Sequence, residues 1–251
     1  MGAKEKIGPP CRFEESIALR YASSPAEMRQ GGSDVLKLAA LAFAMAGLAL
    51  PVAAQEPQII DGDTFLYFGE PIRIYGIDAP EAGQLCALPQ GETWDCGAAA
   101  MNTLRNLVLD GVTCSTEGID AYDRRLAICN SARGDVGAEM IRVGMAWSFR
   151  RYASRYDTLE DEVRQTGIGI WQAETETPWD LRARHWQSAE QAAPDGCPIK
   201  GSISPEGERL YHTPWSPWYA RIEIDDAKGE RWFCDEAQAL DAGWHAPLWG
   251  R

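Results

Sequence analysis

Two aspartates, Asp61 and Asp63, lie two residues apart in IIDGDTF, residues 59–65. The flanking Ile and Phe read as strand, in which residues i and i+2 share a face, so both carboxylates are expected on one side of one strand. Like charges that close repel, and the chain soon supplies partners for them. IRIYGIDAPE (72–81) adds Arg73, Asp78 and Glu81, and DAYDRRLA (120–127) adds Asp120, Tyr122 and Arg124. Clustered carboxylates call for a cation, and oxygen-only ligands suit a hard ion, Ca²⁺ or Mg²⁺, rather than zinc. Arginines beside such an ion suit a phosphate, because a guanidinium binds two phosphate oxygens at once. A remaining carboxylate can orient or deprotonate a water. Together these types predict metal-assisted phosphodiester hydrolysis.

Positioning such groups takes a scaffold, and the chain shows one. Residues 57–76 and 112–129 are strand-like, with Gly69-Glu70-Pro71 as the expected turn in the first. Residues 95–111 place Ala99, Leu104, Leu107 and Val108 near helical spacing, with Gly111 as the stop. A second helix is expected over 135–149, with Met140, Ile141 and Val143 inward, and a third over 158–171, ending at Gly167. Strands first and helices later read as α+β. A polar stretch after Trp171 reads as a linker holding at most one short helix. The expected organisation is a targeting region at 1–54, a catalytic domain at 55–180, a linker at 181–195 and a small Trp-rich module at 196–251. With 251 residues, 45% of them hydrophobic, the chain can bury a real core. Its net charge of −13 would repel polyanions, so any nucleic-acid binding must be local and cation-assisted.

Lys37 precedes an apolar run from Leu38 to Leu50, and small residues follow, which predicts a secretory signal cleaved after Ala54. The run is too short to span a bilayer comfortably, which takes roughly 20 residues. An uncleaved anchor, touching the membrane only through this segment, is the alternative. Met28 makes a better start for such a signal than Met1. Cleavage would remove Cys11 and leave Cys86, Cys96, Cys114, Cys129, Cys197 and Cys234, an even set that suggests disulfides in a periplasmic or secreted protein. Cys114 and Cys129 could face each other across a hairpin. Cys86 and Cys96 bracket a loop, and Cys197 and Cys234 belong to the tail. A Cys₄ zinc site is the rival, and no paired short C-x-x-C spacing supports it.

On "DGDTF", "IRIYGIDAPE", "YDRRLA", "IRVGMAW" and "GIGIW", in order across residues 57–180, the chain resembles the thermonuclease (staphylococcal nuclease-like) family. The resemblance implies a five-stranded OB-fold β-barrel with three helices. It implies a Ca²⁺-dependent nuclease that cleaves DNA and RNA with little sequence preference, favours single strands and leaves a 3′-phosphate. Asp63 and Asp78 would then ligate Ca²⁺, Ala79 would add its backbone carbonyl, and Asp61 would stand behind them. Glu81 would be the general base, and Arg73 and Arg124 would clamp the scissile phosphate. Tyr122 and Tyr152 fall where the family packs tyrosines on the nucleotide. The tail resembles a small module appended to some bacterial extracytoplasmic nucleases. A monomer is expected.

The sequence departs from the family at Asp123, where the usual Tyr-Gly-Arg has glycine, in its added cysteines and in its acidity. Asp tolerates the left-handed region better than most residues, so weaker nucleotide affinity is expected rather than a dead enzyme. Arg125, Arg150, Arg151 and Arg155 read either as a phosphate-tracking surface or as a solvated charged face. Trp147 and Trp171 read as core. His212 has no local catalytic partner and reads as structural. "DGDT" lacks the helix and lysine pattern of haloacid-dehalogenase phosphatases, and Phe65 occupies a position where an EF-hand loop needs oxygen. The other function class is a non-catalytic OB-fold module that binds nucleic acid or protein; loss of Glu81 or an arginine would mark it, and all are present.

Overall fold

The computed structural model describes residues 56–120, 122 and 124–248. The expected signal segment 1–54, with Cys11, Met28 and the cleavage site, lies outside the described residues, as does Asp123. The described residues form one compact unit. No helix among the described residues is long and apolar enough to cross a membrane.

The opening acids do not share a strand. Strand β1 (Gln58–Asp61) ends at the first and β2 (Thr64–Tyr67) begins after the second, so Gly62-Asp63 form the turn of a hairpin in which Asp61 pairs with Thr64. The turn is imposed from outside. A Cβ on Gly62 would stand 2.8 Å from that of Ala79 and 3.0 Å from that of Ala100, so only glycine lets the backbone lie so close. The Asp61 side chain accepts the Gly62 amide at 2.7 Å, a local bond typical of Asp in turns. Strand β3 (Glu70–Ile74) follows a turn at Phe68-Gly69, where φ is 50° and 82°. The expected Gly-Glu-Pro turn therefore lies one residue early, because these left-handed values match the twist of the hairpin.

Beyond β3 the chain forms β4 (Ile77–Asp78), β5 (Leu85–Ala87), β6 (Thr93–Asp95), helix α1 (Cys96–Val108), β7 (Thr113–Ile119), β8 (Arg125–Ser131) and β9 (Gly134–Asp135). Then come α2 (Val136–Arg142), β10 (Trp147–Ser148) and α3 (Asp157–Arg164). The main sheet runs β1-β2-β3-β8-β7, with β9 on β8; β3 and β8 are parallel and the other pairs antiparallel. The fold is α+β. Its pairings follow an open path, and two further small sheets, β5–β6 and β10–β4, flank it.

Asp95 caps α1 by accepting the Ala98 amide at 2.8 Å, and Asp135 caps α2 through the amide of Ala138. The helix expected to reach Phe149 stops at Arg142, because Trp147 and Ser148 pair instead with Asp78 and Ile77. Val143, expected inward, is exposed. The core packs Phe65, Ile72 and Ile74 of the sheet against Met101 and Leu104 of α1 and Met140 and Ile141 of α2. Trp147 is buried with Ile170, and Trp171 packs beside them, as expected of core tryptophans.

The stretch expected as a linker carries most of a long helix, α4 (Pro178–Ala192), capped by Thr177 with proline in its first turn. The tail adds β11 (Ile199–Ile203), β12 (Arg209–His212), β13 (Arg231–Phe233) and α5 (Glu236–Asp241). Its separate core holds Ile199, Tyr211, Phe233, Ala239 and Trp244. Disulfides join Cys86 to Cys96, Cys114 to Cys129 across β7 and β8, and Cys197 to Cys234.

Candidate active site

Three elements bring the acids together. The β1–β2 turn delivers Asp63, the middle of β3 delivers Arg73 opposite Thr64, and β4 delivers Asp78. Asp63, Asp78 and Glu81 are all buried. Arg73 bridges the first two, with Nη1 donating to Asp63 at 2.8 Å and Nη2 to Asp78 at 2.8 Å. Asp63 also accepts from the Thr64 hydroxyl at 2.8 Å and from the Ala79 amide at 3.3 Å. Buried carboxylates need such partners, since an isolated buried charge is expensive.

Glu81 is placed by a turn seated on α1. Its amide donates to the Gln84 side chain at 3.0 Å, and the Gly97 amide donates to the Gln84 carbonyl at 3.1 Å. A Cβ on Gly97 would fall 2.0 Å from the Glu81 carbonyl oxygen, so this contact exists only with glycine there.

Burial raises the Asp61 carboxyl well above the usual carboxylate range, and the neighbouring Glu81 charge adds to the rise. Burial also raises Asp63, against the opposing pull of Arg73. Burial works against the Arg73 charge, but Asp63 and Asp78 outweigh it and hold the guanidinium above its ordinary value.

A residue the sequence analysis missed completes the cluster. Arg182, on α4, donates to both oxygens of Asp78, from Nη1 at 3.1 Å and from Nη2 at 2.5 Å, and also ion-pairs with Glu81. Nothing in DLRARHW marks this arginine, because its partners lie 104 and 101 residues earlier. Helix α4 is fixed at this point: the Gln84 side chain donates to the Glu176 carbonyl at 2.8 Å, and Trp179 stacks on Phe149 with ring centres 5.9 Å apart.

The remaining expected residues lie apart from these contacts. Arg124 pairs with Asp120 at 2.7 Å and lies over the Tyr122 ring at 5.0 Å. The charges that bear on Tyr122 and on Tyr211 of the tail include Arg124 and Glu236, so the tail module borders this second group. Tyr152 is 64% exposed and leans on Phe149. Arg125, Arg150 and Arg155 pair with Glu70, Asp161 and Asp135, the pattern of a solvated charged face, and Arg151 lies over Tyr152. His212 is buried, its Nε2 is 3.0 Å from the Ser202 hydroxyl, and burial beside Lys200 lowers its pKa to about 4, which fits a structural residue.

The oxygen donors of Asp63, Asp78 and Glu81 have the right chemistry for a hard divalent cation. Among the described residues, however, no group of three His, Cys, Asp or Glu side chains is arranged to hold a metal. The guanidinium groups of Arg73 and Arg182 hold these carboxylates instead.

A family model described as Staphylococcal nuclease homologue matches residues 71–173, and one described as ArfC matches residues 183–246. The chain is similar to the succinoglycan biosynthesis protein ExoI of Rhizobium meliloti, 29% identical across 66% of this chain and 91% of that protein. It is 28% identical to a micrococcal nuclease of Shigella flexneri, across 50% of this chain and 77% of that one. It is 31% identical to Protein ParB of Escherichia coli, across 57% of this chain and 89% of that one. The chain belongs to the staphylococcal nuclease-like family. Asp61 and Asp63 precede the matched segment, and Arg182 falls between the two.

Proposed function

We propose that this chain is a nuclease that hydrolyses phosphodiester bonds of DNA and RNA with little sequence preference. The observation that carries the reading is the convergence of Asp63, Arg73, Asp78 and Glu81 at one buried point of a nuclease-family domain. Asp63, Asp78 and the Ala79 carbonyl would hold Ca²⁺, with Asp61 behind them. Bound there, the ion would supply positive charge to the phosphate oxygens. Arg73 would bind one phosphate oxygen and stabilise the charge added in the transition state. Arg124 would complete the clamp from the far side of the phosphate, and Tyr122 and Tyr152 would stack on bases, a contact indifferent to sequence. Glu81 would take a proton from a water that attacks phosphorus. The P–O5′ bond then breaks, leaving a 3′-phosphate on one fragment and a 5′-hydroxyl, protonated from solvent, on the other.

The three disulfides fit an oxidising compartment. With the predicted signal, cleaved after Ala54, they support a periplasmic or secreted location.

The oxidised chain, incubated with single-stranded DNA, is expected to degrade it with Ca²⁺ and not with chelator. Glu81→Gln and Arg124→Ala should each slow cleavage by about 10²-fold or more. Equal degradation in calcium and chelator refutes the metal's role, and unchanged variant rates refute the residue assignments. The pairing of Arg124 with Asp120 is what favours the second reading, a non-catalytic OB-fold binding module. Tight oligonucleotide binding in Ca²⁺ without turnover would establish it.

A further inference from the structure

Arg182 lies between the two matched segments and in neither of them. Its guanidinium sets one nitrogen on each oxygen of Asp78 and lets Nη1 reach Glu81 as well. Arg182 therefore occupies both a carboxylate that would hold the ion, Asp78, and the one that would take the proton, Glu81. The arginine arrives from the solvent side. Its side chain is 23% exposed, against 1% for Asp78 and 5% for Glu81, so it can withdraw without opening the core.

The charges point the same way. Ionised, Asp63, Asp78 and Glu81 carry three negative charges, of which Arg73 and Arg182 offset two. Arg73 with a divalent ion would offset all three. Arg73 holds only Oδ1 of Asp78, whereas Arg182 also takes Oδ2, and a guanidinium and a dication on that one oxygen would repel each other strongly in so dry a place. One must leave when the other binds.

We propose that Arg182 is a built-in competitor for the divalent ion: α4 holds its guanidinium on Asp78 and Glu81 until the ion takes Asp78, displaces the arginine and frees Glu81. The proposal rests on the reading of Asp78 as an ion ligand and Glu81 as the base. It makes α4, outside the nuclease-matched segment, part of the ion site, and it sets the ion concentration at which the site opens. A ligand whose competent state is only partly populated binds more weakly in proportion.

The test is calcium binding to the full-length oxidised chain, measured by calorimetry, with thermal melting in calcium and in chelator. Arg182→Gln is expected to bind Ca²⁺ about tenfold tighter than the unaltered chain. It should melt lower than that chain in chelator, where its carboxylates lose a partner, and gain more from added calcium. Arg182→Lys, which keeps the charge without the two-pronged reach, should fall between the two and serves if Arg182→Gln fails to fold without calcium. Equal or weaker calcium binding in the variant that folds overturns the proposal. So does an unaltered chain that binds no calcium and cleaves DNA in chelator, since Arg182 would then replace the ion. An affinity difference without any cleavage of nucleic acid upholds the competition and rejects the nuclease reading.

Discussion

Gly97 is poorly chosen for a helix and well chosen for the turn that carries Glu81. In the first turn of α1, alanine would improve helix propensity by up to about 1 kcal/mol. Yet its Cβ would stand 2.0 Å from the Glu81 carbonyl oxygen, a backbone atom with little room to yield. Gly97→Ala is therefore expected to destabilise the fold by about 2 kcal/mol, the usual scale of overpacking, and to lower kcat. Denaturant titration and steady-state kinetics would check it, and a stabilised, fully active variant would contradict it. At this scale the sequence was legible where chemistry is concentrated in short runs. Arg73, Asp78 and Glu81 stand within nine residues, and the structure joins them with Asp63. Arg182 was illegible because a contact made across more than a hundred residues leaves no local pattern.

Among elements, the β7–β8 hairpin carries both Cys114–Cys129 and, just before its second strand, Arg124. The bridge closes a span of 15 residues, for which the loss of unfolded-chain entropy is worth about 3 kcal/mol. Replacing both cysteines by serine is expected to lower stability by about that amount. Because the bridge and the carboxylates lie on different strands, the melting temperature should fall while Ca²⁺ affinity holds. Loss of both together would show that the hairpin supports the acids directly. Element type was readable from periodicity: α1 was expected over 95–111 and runs Cys96–Val108. Strand β10 was missed because its pairing with β4, not its own pattern, takes Trp147 and Ser148 out of the helix. The Asp61–Asp63 pair was misread as one strand because the force that bends it, the close approach of Ala79 and Ala100 to Gly62, comes from elsewhere in the chain.

For the whole molecule, a net charge of −13 decides how it meets a polyanion. A basic nuclease loses affinity steeply with salt, because each neutralised phosphate releases a counterion. Here Arg124, Arg125, Arg150 and Arg155 are all held in ion pairs, and the global field repels the substrate. The Michaelis constant for single-stranded DNA is therefore expected to stay flat or fall as monovalent salt rises from about 10 to 150 mM, since screening removes the long-range repulsion. A steep rise in that constant would reveal a basic track and contradict this expectation. The acidity was visible in composition alone. The bordering of Tyr122 and Arg124 by Tyr211 and Glu236 required the folded tail.

The bridge between Cys86 and Cys96 lies beside the turn that seats Glu81, with Cys96 opening the helix on which that turn rests. A newly made chain in a reducing cytoplasm lacks this covalent tie. If it is a nuclease and is exported as proposed, it is least well assembled where the producing cell keeps its own chromosome and transcripts, and becomes whole only outside. Oxidation would then act as a safety catch, released by geography rather than by an inhibitor.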